Sequence, residues 1–574
     1  MKQKNTLRWL YTVPGKKRGY VVVLALMQAV SSSAGVLFAL FLRNIVDSAV
    51  GKQTGSFWGN VIALAVLEIF LFGMDAIMEL MYERAQTDIE NLFKKRLVDT
   101  ILWKDYASVS AIHSGEWMTR LTSDVSLVAG SYVELLPGLA GMVVRLISAL
   151  IMIVMLDRWF LFILVPGGIL LLVFTWLFRS RLKKLHKTVQ ESDGRLRSYL
   201  QERISGLMMI KSFAAESPNS QGTWNKMQDY RAARLKRNRF ATLCKTGFGG
   251  AMEGMYVIGI VYCAYGILSG SVTYGTLTAI MQLIGQVQQP FASLSGFVSR
   301  FTAMSASAER LMDAESYPED CPEGILDSSE VQAYYREHFD SIILKNIDFS
   351  YPLSKDVDDK QHEKMPIVLR GLNLTIHKGE YIAFTGHSGC GKSSVLKLLM
   401  CLYQPDAGEK VLLGKEGTIP LTSKWRRMFA YVPQGNALMS GKLRDVVSFA
   451  CPEQSGNDEK LMQALTIACA DEFLPEMENG LDTVLGEHGT GLSEGQSQRI
   501  AIARAIFAEL PVLLLDESTS ALDEATEEQL LKNLRAMRNK TVVIVTHRKA
   551  ALSICDRIVK FTESGIEEAW TKQL

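Results

Sequence analysis

The residues best suited to chemistry lie in a glycine-rich run, GHSGCGKSS, which follows the apolar stretch 381–385 and precedes a helical pattern. This is the spacing G-x-x-x-x-G-K-S between a strand and a helix. Its glycines let backbone N–H groups face phosphate oxygens, and the helix N-terminus adds a positive dipole end. A glycine turn without a ligand is the alternative, and the flanking elements favour the phosphate site. The predicted phosphate-binding residues are Gly386, His387, Ser388, Gly389, Cys390, Gly391, Lys392, Ser393 and Ser394.

Two of these residues have more specific predicted roles. Lys392 is placed to reach the β- and γ-phosphates of a nucleotide, and the Ser393 hydroxyl is placed to ligate Mg²⁺. The pattern therefore predicts ATP and Mg²⁺ as the ligands of this loop.

A pair of carboxylates follows a second apolar run, 512–515, which is typical of a fully buried parallel strand. Asp516 at its end suits a water-mediated contact to Mg²⁺. Glu517 suits activation of the attacking water. An acidic surface turn is the alternative, but the preceding glycine-rich loop favours a catalytic pair.

The order of motifs beyond residue 340 resembles that of the ATP-binding-cassette (ABC) family. The run GLSEGQSQR is similar to the family signature, which most often reads LSGGQ. The resemblance implies that Ser493, Gly495 and Gln496 bind the γ-phosphate held by a partner subunit's phosphate loop. Glu494 replaces the first glycine of that signature, and we expect it to leave hydrolysis possible.

Four shorter motifs extend the same resemblance. Tyr351 in FSYP matches the aromatic that stacks on adenine, and Gln434 in YVPQ matches the glutamine that contacts Mg²⁺ and the lytic water. Asp523 in SALD belongs to the loop that meets the partner subunit. His547 in VTHR matches the histidine beside the γ-phosphate, whereas a lone histidine would more often be a satisfied core residue. We therefore expect Glu517, His547 and Gln434 to form the catalytic group.

Composition divides the 574-residue chain into two kinds of sequence. It is 48% hydrophobic, with long apolar runs in the first 300 residues and a soluble α/β pattern after residue 340. The net charge of +2 gives no case for a nucleic-acid partner. None of the eight cysteines forms a C-x-x-C pair, which disfavours a zinc site or disulfide framework. We expect no signal peptide, and no peptidase domain ahead of the first span.

Six runs are apolar over the roughly 20 residues that a bilayer span requires. Two long polar helical stretches, 84–125 and 179–243, separate the second span from the third and the fourth from the fifth. Basic residues concentrate in 179–187 and 231–239, so the positive-inside rule puts both stretches and both termini in the cytoplasm. The predicted spans are 19–48, 57–84, 128–156, 158–178, 244–269 and 275–300.

Polar residues inside these spans are candidates for a transport pathway, because ionisable groups in lipid are costly. Glu68, Arg145 and Gln286 each lie about 11 residues, or ~16 Å, from the outer end of a span. Glu68 either pairs with Arg145 or serves a cationic substrate, and we favour pairing. One helical face of the sixth span is predicted to line the pathway, with interhelical hydrogen bonding as the alternative. That face carries Gln282, Gln286, Gln289 and Ser293.

The whole arrangement resembles a half-size ABC exporter of the type IV fold. The predicted fold is an all-α transmembrane domain with cytoplasmic extensions (1–312), a linker (313–339) and an α/β phosphate-loop ATPase domain (340–574). The stretches 113–125 and 201–216 resemble the family's coupling regions. The segment 353–366 is a charged insertion, for which a solvated loop is favoured over a metal site at His362.

The resemblance implies ATP-driven export of a peptide, lipid or amphipathic small molecule by alternating access, in a dimer in the bacterial cell membrane. A second copy of the chain is the favoured partner, with a heterodimer as the alternative. A lipid or lipid-linked glycan flippase remains open. A soluble cassette protein acting on DNA or ribosomes is disfavoured by the spans. An ATP-gated channel is disfavoured because Glu517 and His547 are both present.

Overall fold

The computed structural model describes residues 2–570 except 353–366, 436–437, 487–488, 490, 538 and 563–564. The chain divides into two compact units. The first comprises Met1–Arg96 and Arg120–Met312, and the second comprises Leu97–Thr119 and Asp313–Leu574. The first is helical and the second is α/β, which confirms the predicted fold class. The predicted domain boundaries stay a prediction, since the second unit also takes in residues 97–119.

Long helices build the first unit, because an uninterrupted apolar helix satisfies its backbone hydrogen bonds within the segment. Each predicted span falls on one long helix to within three residues. Four helical stretches, 15–50, 54–103, 114–156 and 216–268, are long and apolar enough to cross a membrane. The count of six spans stays a prediction. Up to residue 315 the helices are α1 (Lys2–Thr12), α2 (Arg18–Val50), α3 (Thr54–Trp103), α4 (Tyr106–Ser110), α5 (Ser114–Thr119), α6 (Val125–Leu156), α7 (Leu161–Ser205), α8 (Leu207–Ser212), α9 (Glu216–Leu268) and α10 (Tyr274–Glu315), of which α4 and α5 lie in the second unit.

Three polar contacts join α6 to α10, and we call them the α6–α10 ladder. Successive contacts are 11 and then 10 residues apart on both helices, which run in opposite directions. Because this spacing is about three helical turns, the contacts lie on one face of each helix. The contacting pairs are Arg145 with Gln289, Glu134 with Arg300, and Asp124, which immediately precedes α6, with Arg310.

Strands of the second unit form a six-stranded sheet in the order β12-β11-β3-β10-β9-β6 and a four-stranded antiparallel sheet in the order β2-β1-β4-β5. Strands β7 and β8 pair separately. The strands are β1 (Phe339–Phe349), β2 (Leu369–His377), β3 (Tyr381–Thr385), β4 (Ala407–Gly414), β5 (Gly417–Pro420), β6 (Phe429–Val432), β7 (Gly441–Lys442), β8 (Val484–Leu485), β9 (Val512–Asp516), β10 (Thr541–Val545), β11 (Arg557–Thr562) and β12 (Gly565–Trp570).

The central strands β3, β10 and β9 are parallel neighbours and are almost entirely buried. Continuous apolar sequence is typical of such strands, because helices cover both faces of the sheet. Their carboxyl ends meet at one edge, where α/β folds bind ligands. The helices of this unit are α11 (Ser328–Glu337), α12 (Lys392–Leu399), α13 (Leu443–Val447), α14 (Asp458–Ile467), α15 (Glu494–Phe507), α16 (Glu524–Ala536) and α17 (Lys549–Ser553).

The predicted linker 313–339 contains a helix. Asp327 and Glu330 form a capping box that starts α11. Val331 and Tyr335, one turn apart, are buried in the same core as β1. Because this stretch is mostly polar, the sequence did not show that two apolar positions pack it into the core of the second unit.

Candidate functional site

The phosphate loop lies at the carboxyl end of β3 and leads into α12. Gly386, Gly389 and Gly391 have φ of +132°, +83° and +97°, which side chains rarely tolerate. A Cβ on Gly386 would also lie 2.5 Å from the Phe561 carbonyl oxygen. The glycine spacing therefore sets the curl of the loop, as predicted.

The Lys392 side chain folds back over this loop. Its Nζ donates to the carbonyl oxygens of Gly386 at 2.6 Å and His387 at 2.9 Å, and the residue is 6% exposed. These hydrogen bonds hold an ammonium inside the turn that the sequence assigns to phosphates. The arrangement suits an anion with several oxygens.

The end of β9 lies beside the start of α12. Ser393 Oγ donates to Asp516 Oδ1 at 3.0 Å, and Tyr431 on β6 donates to Asp516 Oδ2 at 3.2 Å. Burial raises the pKa of Asp516, which is 2% exposed, although both hydrogen bonds oppose that rise. A cation bound at this point would be favoured because it would offset the cost of a buried carboxylate.

Glu517 and Gln434 form the next pair along the same edge. Gln434 Nε2 donates to Glu517 Oε2 at 2.7 Å. Glu517 has a φ of +48°, unusual for a residue with a side chain, and its N–H donates to the Val545 carbonyl oxygen on β10. The strained turn directs the carboxylate toward the glutamine from β6.

His547 and Tyr351 border this group. Val545 at the end of β10 pairs with Phe384 on β3 and Asp516 on β9, and His547 follows two residues later with an exposed side chain. The Tyr351 hydroxyl lies 2.9 Å from Ser394 Oγ. Each residue predicted for the nucleotide site, except those of the signature and Asp523, therefore lies at or beside one sheet edge.

The signature residues begin helix α15. Ser493 and Gln496 form a reciprocal capping box, with Ser493 Oγ accepting from the Gln496 N–H at 3.2 Å and Gln496 Oε1 accepting from the Ser493 N–H at 2.9 Å. Glu494 is the first residue of the helix, where a carboxylate interacts favourably with the helix dipole. In the described chain the hydrogen bonds between Ser493 and Gln496 are local to the start of α15.

Asp523 begins helix α16 in the same way, accepting from the Thr526 N–H at 2.9 Å. That hydrogen bond lowers the pKa of Asp523. The carboxylate is exposed, so its predicted contact with a partner subunit stays a prediction.

Arg548 is a positioning residue that sequence reasoning missed. Its guanidinium donates to Glu527 Oε2 at 2.8 Å and to the carbonyl oxygens of Leu522 at 2.8 Å and Ser520 at 2.7 Å. It therefore ties the segment after β10, which carries His547, to the SALD loop. Its place directly after the histidine was the available signal.

A segment between α3 and α5 packs on the core of the second unit. The Tyr106 ring lies 5.7 Å from the Tyr403 ring, edge to face, and Ser110 Oγ lies 3.3 Å from the Tyr403 hydroxyl. Ala107 joins the same core. The residues that make these contacts lie on α4, within the second unit and ahead of the predicted coupling region 113–125. Asp105 caps this short helix.

The second predicted coupling region, 201–216, contains helix α8. Apolar side chains at this turn are unusually exposed, with Met208 at 86% and Phe213 at 77%. We call the cluster of exposed apolar side chains there the α8 tip. It consists of Ile204, Leu207, Met208, Met209 and Phe213.

The predicted polar face of α10 is rotated from its expected position. Gln282, Gln289 and Ser293 are exposed, and Gly285 lies on the same face. Gln286 instead donates through Nε2 to the Gly35 carbonyl oxygen on α2 at 2.6 Å. Gln286 thus makes the interhelical hydrogen bond that was the alternative, and its assignment to the pathway stays a prediction.

The favoured pairing of Glu68 with Arg145 is not seen among the described residues. Arg145 donates to Gln289 on α10, and among the described residues no ion pair joins it to Glu68. Glu68 lies on the exposed side of α3, as do Asp75 and Glu79. Equal depth along the spans does not by itself bring two side chains into contact.

The insertion 353–366, including His362, lies outside the described residues. Among those described, no group of three or more His, Cys, Asp or Glu side chains is arranged to hold a metal ion.

Comparisons with known proteins cover both units. Residues 21–291 match the family model of the ABC transporter transmembrane region, and residues 369–520 match that of the ABC transporter. A solved structure described as a bacterial Atm1-family ABC exporter with ATP bound has a TM-score of 0.80 and 20% identity, over 97% of this chain and 96% of that one. This similarity shows the fold.

Curated relatives are translocation proteins. The alpha-hemolysin translocation ATP-binding protein HlyB of Proteus vulgaris is 32% identical over 373 residues, which is 65% of this chain and 50% of that protein. The leukotoxin translocation ATP-binding protein LktB of Mannheimia glucosida is 31% identical over 394 residues, which is 68% of this chain and 52% of that protein. The chain spans about half the length of the curated relatives it matches.

Proposed function

This chain belongs to the ABC transporter family as an exporter-type half-transporter, and on that premise we propose that it hydrolyses ATP to drive export of a substrate across a membrane. One observation carries the proposal. Ser393 with Asp516 and Gln434 with Glu517 form adjacent pairs at 3.0 and 2.7 Å, in a chain that also carries membrane-length helices.

The residues at the sheet edge fit Mg²⁺ and ATP. Mg²⁺ prefers oxygen ligands, which Ser393, Gln434 and, through a water, Asp516 would supply. The ion would neutralise charge on the β- and γ-phosphates. Lys392 would exchange its carbonyl partners for phosphate oxygens, and Tyr351 would stack on adenine.

Hydrolysis in this proposal depends on Glu517 as general base. Its carboxylate accepts the proton of the attacking water, while Gln434 orients that water. His547, at the adjoining strand end, stabilises charge on the γ-phosphate. The strained turn at Glu517 fixes the base before the nucleotide arrives.

A dimer would complete each site. The sequence resembles the family signature at Ser493, Gly495 and Gln496. Among the described residues, the side chains of Ser493 and Gln496 hydrogen-bond to each other's backbone at the start of α15, so we propose that a second subunit presents its signature residues to this phosphate loop. Every required motif is present in this chain, and we therefore propose a homodimer with two working sites. Binding of ATP would close the two ATPase domains, and hydrolysis would separate them.

The α8 tip supports a partner subunit. Its side chains form an exposed apolar cluster on a stretch assigned to the cytoplasm, and such clusters mark protein interfaces. By contrast, the short helix α4, which also lies between predicted spans, already packs in the core of the second unit. We propose that a second copy of the chain covers the α8 tip.

The proposed location is the bacterial cell membrane, with six spans and both termini in the cytoplasm. The substrate would be a peptide, a lipid or an amphipathic small molecule. The proposed pathway residues are Glu68, Arg145, Gln282, Gln286 and Gln289, all partly or fully exposed.

The proposal is tested by measuring ATPase activity of the purified chain in lipid vesicles together with ATP-dependent movement of candidate compounds. We expect hydrolysis that a transported compound stimulates. ATP-dependent ion conductance without compound transport would instead identify a gated channel, and absence of hydrolysis would contradict the proposal.

A further inference from the structure

A cavity of about 570 Å³ opens in the second unit at the edge of the six-stranded sheet opposite the phosphate loop. Strands β3, β9 and β10 begin beside it and end at the nucleotide residues, so the length of the sheet separates the two sites. Its volume is in the usual range for small-molecule sites, roughly 300–1,000 Å³. None of the motif residues lines it.

The cavity is strongly basic. Arg336, Lys378, Lys460 and Lys540 line it, against a single carboxylate, Glu509. Lys460 Nζ lies 2.9 Å from Glu509 Oε2, which accounts for that carboxylate. The other three cations make no ion pair within the described chain, so the cavity holds an excess of positive charge.

Two of these ammonium groups are fixed by carbonyl oxygens. Lys540 Nζ donates to Leu510 O at 2.7 Å, and Lys378 Nζ donates to Arg336 O at 2.8 Å. An ammonium has three donors, so each retains protons for a further acceptor. The alternative is that these lysines only stabilise the carbonyl groups at the end of α11 and in the loop before β9. That structural role would not explain why they line a cavity with an excess of positive charge.

Lys540 is partly buried. Burial lowers its pKa to about 8, with Lys460 adding to that effect and Glu509 opposing it. A buried cation without a counter-ion destabilises a protein, and an anion placed beside it removes part of that cost.

The floor of the cavity is apolar. Ile506 and Phe507, the last residues of α15, lie under the basic rim together with Met537. A narrow apolar crevice bounded by Leu513 and Val542 adjoins the cavity near Lys540. A ligand that suits both parts has an anionic head and a compact apolar body.

We propose that this basic cavity is a second ligand site, separate from the ATP site, which binds a small organic anion with a compact aromatic or aliphatic body. Its head group contacts Lys378 and Lys540, and its body rests on Ile506 and Met537. Because the body of the ligand only rests on these apolar side chains, a carboxylate with two rings is large enough to contact both them and the lysines.

The test uses the full chain in lipid nanodiscs, with 2-naphthoate as probe and empty nanodiscs subtracted. Equilibrium dialysis should show saturable binding that saturating MgADP leaves unchanged. The neutral analogue 2-naphthamide should bind at least ~10-fold more weakly, since charged hydrogen bonds contribute that much.

Two variants locate the site. Lys540→Met and Lys378→Gln should each weaken naphthoate binding by roughly 10-fold or more. Lys532→Gln, which alters an exposed lysine of α16 outside the cavity, should bind as the unmodified chain does. Retained ADP binding checks folding, and if Lys540→Met does not fold, Lys378→Gln decides.

Several results would overturn the proposal. The proposal fails if the unmodified chain shows no saturable binding, or if both cavity variants bind naphthoate as tightly as the unmodified chain does. It also fails if the amide binds as tightly as naphthoate, or if MgADP displaces naphthoate.

Discussion

Glu517 is the residue on which the proposed chemistry depends most. Replacing it with glutamine keeps the size of the side chain but removes the base, so steady-state hydrolysis should fall about 10²–10⁴-fold while ATP binding persists. Turnover is measured by phosphate release and binding by a fluorescent nucleotide. Glu528→Gln, at an exposed position of α16, is the matched control. Turnover at the unmodified rate in Glu517→Gln would remove the assignment.

Lys392 should behave differently. Lys392→Ala removes the ammonium enclosed by the phosphate loop, and we expect weaker ATP affinity by roughly tenfold or more, because a charged hydrogen bond contributes about 1.5–3 kcal/mol. Nucleotide titration measures the change. Lys397→Ala in the same helix removes a cation that lies over the Tyr351 ring rather than in the loop, and should have a smaller effect. An unchanged affinity in Lys392→Ala would contradict the phosphate-binding role.

The pairing of Glu68 with Arg145 has a direct test. Since no ion pair joins them among the described residues, the stability losses of Glu68→Gln and Arg145→Met should add, with no recovery in the double variant. Glu68→Gln should leave thermal stability nearly unchanged and alter which compounds stimulate hydrolysis, cations most. Thermal unfolding and stimulated ATPase measure the two effects. Recovery of stability in the double variant would instead restore the pairing hypothesis.

Between elements, the contact of Arg548 with Glu527 is the most informative. The Glu527 side chain is 3% exposed and also accepts from Thr519 Oγ1 at 2.8 Å. Arg548→Met leaves that carboxylate without its cation and should destabilise the chain by about 1–3 kcal/mol. Hydrolysis should also fall, because His547 and the SALD loop lose their common support.

A double-mutant cycle separates these effects. Glu527→Gln with Arg548→Met should cost less than the sum of the single changes, by about 0.5–3 kcal/mol, measured by chemical unfolding. Strict additivity would show that the guanidinium acts only through its carbonyl contacts.

At this scale the sequence predicted what local spacing determines. The glycines of the phosphate loop and the strand before Asp516 are set by neighbours within a few positions. Local spacing did not determine the orientation of α10. At about 100° per residue, Gln286 lies ~40° around the helix from Gln282, at the border of the predicted polar face. Whether such a border residue meets α2 or the exposed side depends on packing between distant segments. Tyr431 and Arg548 were missed for the same reason.

For the whole molecule, the proposed homodimer has a direct test. The purified product of this single chain should hydrolyse ATP as a dimer. Light scattering, corrected for the mass of bound detergent, measures the oligomeric state, and an ATPase assay measures the activity. Met208→Glu at the α8 tip should weaken the coupling of substrate to hydrolysis, because burying that carboxylate against a partner is costly. Glu191→Gln, at an exposed position of α7, is the control. A monomer that gains activity only with a different subunit would contradict the homodimer.

The α6–α10 ladder restricts how the molecule can move. Its three contacts share one antiparallel register, so a slide of one helical turn along the common axis would break all of them together. A slide by one step of the ladder, ten or eleven residues or about 16 Å, would set different side chains opposite one another, including Arg145 against Arg300, which carry like charges. We therefore expect the two helices to move together in the proposed transport cycle. Changes in the width of the pathway would then come from movement of this pair of helices against the others.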